Sequence, residues 1–262
     1  MVELARYDGR RRLRGSLYLS AAIAVLAVIM VWIFPSYSEA FGDDEEILEA
    51  MPDAMVRMFD LQTFGSIEGF LAIELYVFGW IILLGLYLAY LAAGTIADDV
   101  DRGRTDILLS MPVSRSRLVG EKFAALAVPI VAVNVVTPVV VYVAAELIDE
   151  PMAAVDLVAI HLLSIPYLFA CAGIGMFASV VFDRASIAQR AALGVTFGLF
   201  LLESLLVETD YEALGLVAPS RHFSPNEILL ESTYDLTSAG VLVAMTLALL
   251  VASQLWFSRT DI

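Results

Sequence analysis

The chain of 262 residues is 60% hydrophobic and only 17% charged, with a mean hydropathy of +0.82. Soluble domains average about 45–50% apolar and about 25% charged residues, so this composition excludes a soluble enzyme and a disordered chain and calls for a bilayer as solvent. The net charge of −15 repels nucleic acid, whose phosphates need Lys and Arg, and the single cysteine, Cys171, excludes an internal disulfide framework.

The segments in chain order define six apolar runs. A spanning helix needs about 20 mainly apolar residues. The N-terminal tail, residues 1–15, is basic, and the first run, Ser16 to Ser38, follows it, its apolar core ending at Pro35. This run is too long for a cleaved signal peptide and carries no A-x-A-like site. The second runs from Phe70 to Ala97 with Glu74 near its outer end, and the third from Phe123 to Ala145. The fourth, Leu157 to Phe182, contains His161; the fifth, Ala191 to Val207, is broken by Glu203; the sixth is Leu236 to Ser258. The expected fold class is therefore an all-α integral membrane protein with six transmembrane helices, one transmembrane domain over residues 1–262.

Lys and Arg set the orientation. Arg6, Arg10, Arg11, Arg12 and Arg14 precede the first span. Arg102, Arg104, Arg115, Arg117 and Lys122 lie between the second and third, Arg184 and Arg190 between the fourth and fifth, and Arg259 at the end. These are 13 of the 15 basic residues, and only Arg57 and Arg221 fall on the other side. Both termini are expected in the cytoplasm of a multi-pass cell-membrane protein. Three segments then face outward: the acidic loop 39–69, the turn from Glu146 to Asp156, and 208–235. The apolar patches of the last suggest that part of it re-enters the interface. With 30 acidic residues against 14 arginines and one lysine, the aqueous parts fit a high-salt, haloarchaeal habit, so acidity alone says little about a cationic substrate.

Enzymatic motifs are missing. The only lysine follows Glu121, so there is no G-K-[ST] phosphate loop. His161 and His222 are far apart, H-E-x-x-H and G-x-S-x-G are absent, and one cysteine cannot build a Cys-rich zinc site. Glu74 and Glu203 are expected to reach the outer surface rather than form a catalytic dyad. His161 reads as a packed, hydrogen-bonded residue and Asn134 as an interhelical hydrogen bond. Pro129, Pro138 and Pro166 are candidate kinks. Gly194 and Gly198 form a G-x-x-x-G close-packing pattern. Met51, Met55 and Met58 share a helix face; they read as the soft side of an amphipathic helix rather than a cuprous site.

The most structured segment is the loop 98–122 between the second and third spans, within Gly94 to Phe123. Asp98, Asp99 and Asp101 are followed by a break at Arg102 and Gly103. Thr105, Asp106, Ile107, Leu108, Leu109, Ser110 and Met111 then read as a short helix, apolar on one side through Ile107, Leu108 and Met111. Pro112 stops it, and Ser114 caps a helix that carries Arg115 and Arg117 into the third span. On the residues alone, a docking element and a solvated connector fit equally well.

The run Gly94, Asp98, Asp99, Gly103, Thr105, Leu108, Leu109, Ser110, Pro112, Val113, Ser114, Arg115 and Lys122 resembles that of type-2 ATP-binding-cassette (ABC) transporter permeases. The ending FSRTDI is similar to the basic, Asp-containing end common there. The sequence departs in having Asp for the commoner Glu of the acidic cluster and Arg104 between Gly103 and Thr105. The resemblance implies a membrane permease without its own catalytic or cofactor site. Its partners would be a second permease subunit, homo- or heterodimeric, and a separate cytoplasmic ATPase carrying ATP and Mg. The helix 105–111 would be the coupling helix. The alternative is a non-transporting membrane anchor or assembly protein that recruits a cytoplasmic partner.

Overall fold

The computed structural model describes residues 3–41, 50–52, 55–56, 59–63, 65–103, 114–207 and 209–259. Six of its helices are long and apolar enough to cross a membrane: Ala5–Ala40, Ile67–Asp101, Arg115–Leu147, Ala154–Val181, Ala185–Leu206 and Leu236–Arg259. They are called spans one to six below. The described residues contain no strand, and the fold is an all-α integral membrane protein.

The helices overrun their apolar stretches. Span one is one continuous helix, Glu3–Phe41, so the described part of the basic tail is not a separate extended segment. Arg and Leu are good helix formers, and the chain continues its turns through Arg10, Arg11, Arg12 and Arg14. Pro35 lies inside this helix and does not end it. Span five runs unbroken to Leu206, past Glu203, because one partnered carboxylate near a helix end costs no backbone hydrogen bond. Span three does break, between Arg115–Ala124 and Ala127–Leu147. Pro129 explains the position: its ring nitrogen cannot donate to the carbonyl four residues back, so the helix restarts just ahead of it.

Spans two and four form the centre. Span two is hydrogen-bonded in the wider i→i+5 π register over Ala72–Leu84, a geometry concentrated at functional positions of helices. Tyr76 and Trp80, wholly buried, project from this stretch toward span four. Below it the contact is made by small residues. Ala89, Ala92, Ala93 and Ala97 of span two, Ala178 of span four, and Ala188 and Ala192 of span five are all buried. The tightest point is Gly175, where a Cβ would lie 2.1 Å from the Ala89 carbonyl oxygen. Only glycine permits that backbone approach. Span one packs on span three, and span six on span four.

Gly194 and Gly198 behave otherwise. A Cβ at either position meets nothing within 4 Å. The G-x-x-x-G pattern of span five is therefore not a packing seam within this chain. Span five uses its alanines for that, and the glycines lie on another face.

Candidate coupling end and the buried polar clusters

The residues expected at the coupling loop divide into two groups. Thr105, Asp106, Ile107, Leu108, Leu109, Met111 and Pro112 lie outside the described residues. The flanks do not. Span two closes at Arg102, which ion-pairs with Asp98 at 2.8 Å, and Gly103 follows with φ +63°, the left-handed conformation that glycine adopts freely. On the far side, Ser114 is in place as the N-cap of span three, its hydroxyl accepting from the Arg117 N–H at 3.3 Å. Between these flanks the two strongest markers meet: Lys122 Nζ lies 2.7 Å from Asp99 Oδ2 and 3.6 Å from Asp8 Oδ2. The single lysine is only 8% exposed. It ties the end of span two, the start of span three and the first turns of span one.

Neighbouring bonds widen this latch. Glu121 accepts from Arg117 Nε at 2.6 Å and from the Ala5 backbone N–H at 3.2 Å. Arg12 donates to Thr95 Oγ1 at 3.3 Å. Arg115 lies against span six: its guanidinium is 5.9 Å from the centre of the Phe257 ring and donates to the Phe257 carbonyl at 3.4 Å. Arg115 is thus a packing residue as well as a charge. The sequence reading missed Asp8, Arg12 and Glu121. An i, i+4 spacing marks Arg117 with Glu121, but nothing in the sequence marks a contact to residue 5 or 8.

A second cluster lies in the middle of the bundle. Tyr76 hydrogen-bonds His161 Nε2 at 3.2 Å, and the other imidazole nitrogen bonds Asn134 Oδ1 at 3.1 Å. Ser164 donates to the same Asn134 oxygen at 2.9 Å and accepts from Trp80 Nε1 at 3.1 Å, while Asn134 Nδ2 donates to the Ile130 carbonyl at 2.8 Å. One connected network thus joins spans two, three and four. Both imidazole nitrogens are engaged, as expected of a packed histidine, and Asn134 is the expected interhelical bond. The sequence did not show the two partners on span two.

The opposite end is acidic. Arg221 lies 3.8 Å from Glu203 and also bonds Glu212, and Ser220 donates to Glu203 at 3.5 Å. Glu203 is therefore partly buried and paired, rather than extended to the surface. Asp156, at the start of span four, accepts from Ser232 at 3.1 Å and from Tyr234, which fastens the segment before span six. Asn226 donates to the Asp60 carbonyl and joins the two outer segments. Partial burial, and the carboxylates of Glu231, Asp235 and Asp60, hold the Glu227 carboxyl above its usual range. The apolar residues of this region split: Ala218, Phe223, Ile228 and Leu229 are buried, whereas Tyr211, Leu214, Leu216 and Val217 are exposed. Met51 packs on a small cluster around Leu61 and Ile73, and Met55 is exposed; Met58 lies outside the described residues.

The described residues thus form a six-span bundle with paired charges on both flanks of residues 104–113. The family comparison agrees: the ABC-2 family transporter protein model matches residues 4–262, and the chain belongs to that family. Its members are membrane components of ABC transporters rather than the ATPases themselves. A search of curated proteins finds no match.

Proposed function

We propose that the chain is the membrane-spanning permease subunit of an ABC transporter, with both termini cytoplasmic, driven by ATP hydrolysed with Mg on a separate ATPase subunit and completed by a second permease subunit. The observation that carries this reading is the family match, which takes in all six spans and the 98–122 loop together. The apolar side of 105–111 docks on the ATPase. The Asp99–Lys122 pair lets a push on the loop act on spans one, two and three at once.

The test is copurification from mild detergent. Burial of one Leu side chain is worth roughly 1.5–3 kcal/mol, so Leu108→Ala with Leu109→Ala should weaken docking by about a hundredfold or more. Membrane insertion should stay intact, since both residues lie outside the spans. Loss of ATPase binding and of substrate-coupled hydrolysis is the expected result. Full retention of both would reduce the loop to a connector. A wild-type chain that brings down no ATPase would favour the anchor reading.

A further inference from the structure

A cavity of about 450 Å³ lies at the basic end of the bundle, among spans one, two, three and five. That volume is within the range of small-molecule sites, roughly 300–1,000 Å³. Asp8, Asp98 and Asp99 line it together with Arg11, Arg12 and Lys122. The two signs are not equally occupied. Asp99 and Asp8 lie 2.7 and 3.6 Å from Lys122 Nζ, and Asp98 lies 2.8 Å from Arg102. Neither Arg11 nor Arg12 takes part in an ion pair among the described residues. With Arg102 counted, four cations meet three carboxylates, and the surplus positive charge rests on Arg11 and Arg12.

Arg12 is half-buried, whereas Arg11 is exposed. A guanidinium offers five N–H donors, and Arg12 spends one, on Thr95 Oγ1. The field of Asp8 reaches it, but no carboxylate pairs with it among the described residues. Gln189 of span five adds a neutral donor. Its amide has no hydrogen-bond partner among the described residues, and it lies so near span two that a Cβ at Gly94 would be 2.8 Å from its Nε2. Unspent donors thus converge on the cavity from spans one and five, while its carboxylates are paired.

Depth selects the ligand. Arg12 lies one turn ahead of the first apolar run, Lys122 directly ahead of the third and Gln189 just ahead of the fifth, and Gly94 falls in the last turn of the second. The cavity therefore sits where the apolar stretches of four spans meet water, at the level of lipid headgroups. Tyr90, one turn deeper on span two, lines it and is 42% exposed, the position of an interfacial aromatic residue. Basic pockets between spans at this level suit anionic headgroups.

We propose that this cavity binds the phosphodiester of an anionic membrane lipid with an uncharged head, of the phosphatidylglycerol type. Arg12 and Arg11 hold the phosphate oxygens, the Gln189 amide donates a further bond, and Tyr90 lies beside the start of the acyl chains. A phosphodiester brings one negative charge, which matches the surplus, whereas a zwitterionic lipid brings none. The binding does not rest on the permease reading.

The experiment is calorimetric titration of the purified full-length chain in a neutral detergent. The probes are dioctanoyl phosphatidylglycerol, dioctanoyl phosphatidylcholine, dioctanoylglycerol and inorganic phosphate. Phosphatidylglycerol should bind about tenfold or more tightly than any of the others, since hydrogen bonds between ionised groups are the strong ones. Arg12→Gln should weaken it about tenfold and Gln189→Leu about threefold. Arg14→Gln removes the same charge from the same helix outside the cavity and should change affinity by less than about twofold. Arg11→Gln, at an exposed position, should cost about threefold and reads the same charge if Arg12→Gln disturbs folding, which gel filtration reports. The proposal fails if the choline lipid or the phosphate-free lipid binds as well, or if Arg14→Gln costs as much as Arg12→Gln or Arg11→Gln. Inorganic phosphate binding as tightly as the lipid would make the ligand a soluble phosphate, and displacement of the lipid by a copurified ATPase subunit would make the cavity a protein-docking surface; either result overturns the lipid site.

Discussion

Spans two and six have the same mean hydropathy, yet 67% of the apolar window of span two is buried within the chain against 17% for span six. Their sequences obey the same rule, to be apolar enough for a bilayer, and meet different neighbours. Span two is held on several sides by spans one, four and five. It carries the π stretch, the polar network and the alanine seam. Span six leans on span four and leaves Val243, Leu247, Val251 and Leu255 exposed. Hydropathy therefore reports the solvent a helix tolerates, while small residues and interhelical hydrogen bonds report which helix is enclosed. In lipid this division is expected, because apolar area alone gives helices no preference for one another over acyl chains.

Substitutions at matched positions of the enclosed and open helices should sharpen that contrast. The largest effect belongs to Gly175. Overpacking costs typically 1–3 kcal/mol; a Cβ set against a backbone carbonyl cannot be relieved by a rotamer change, so Gly175→Leu should cost more than roughly 3 kcal/mol. Thermal unfolding in detergent, followed by gel filtration, reads this directly. The counterpart, Gly198→Ala on span five, should leave the monomer within about 0.5 kcal/mol of wild type. Equal losses at the two glycines would erase the distinction between the seam and the open face.

Next in size is the latch. Lys122→Met removes the ammonium that lies between Asp99 and Asp8, and breaking such pairs costs about 3 kcal/mol or more when they are buried. Removing one carboxylate as well, with Asp99→Asn, returns the cluster to its original net charge and should recover much of the loss. No recovery would show that Lys122 acts through packing of its stem and not through charge.

The smallest informative change is in the network. Asn134→Ala removes an acceptor shared by His161 and Ser164, and interhelical hydrogen bonds in membranes are worth roughly 0.6–2 kcal/mol. Thr246→Ala in span six, whose hydroxyl donates to the Leu242 carbonyl of its own helix, should have a smaller effect. A double-mutant cycle between Asn134 and Ser164 isolates the shared bond; zero coupling would mean that the network adds no stability.

The six spans were legible because a bilayer imposes a length and a composition that little else satisfies. Their ends were not. The apolar run of span one stops where the arginines begin, but the helix does not, since nothing in RRLR breaks a helix. Residue types at the site were readable and their partners were not. Asn134 and His161 announced themselves as polar groups at membrane depth, whereas Tyr76 and Trp80 look like ordinary aromatic residues until the crossing of spans two and four brings them into reach. Asp99 and Lys122 stood out as the edges of one motif, while Asp8 required knowing that span one descends beside them. The G-x-x-x-G of span five misled because the pattern specifies a smooth helix face and says nothing of whether a neighbour within the chain covers it.

The solitary lysine has a practical consequence. Apart from the α-amino terminus, Lys122 Nζ is the only amine the chain contains, and it is the group enclosed between Asp99 and Asp8. An amine-reactive ester therefore meets one internal target, and it can acylate that target only while the surrounding carboxylates have let go. The molecule carries its own chemical clock: the rate of modification at Lys122 counts openings of the junction between spans one, two and three, with no engineered label and no change to the sequence.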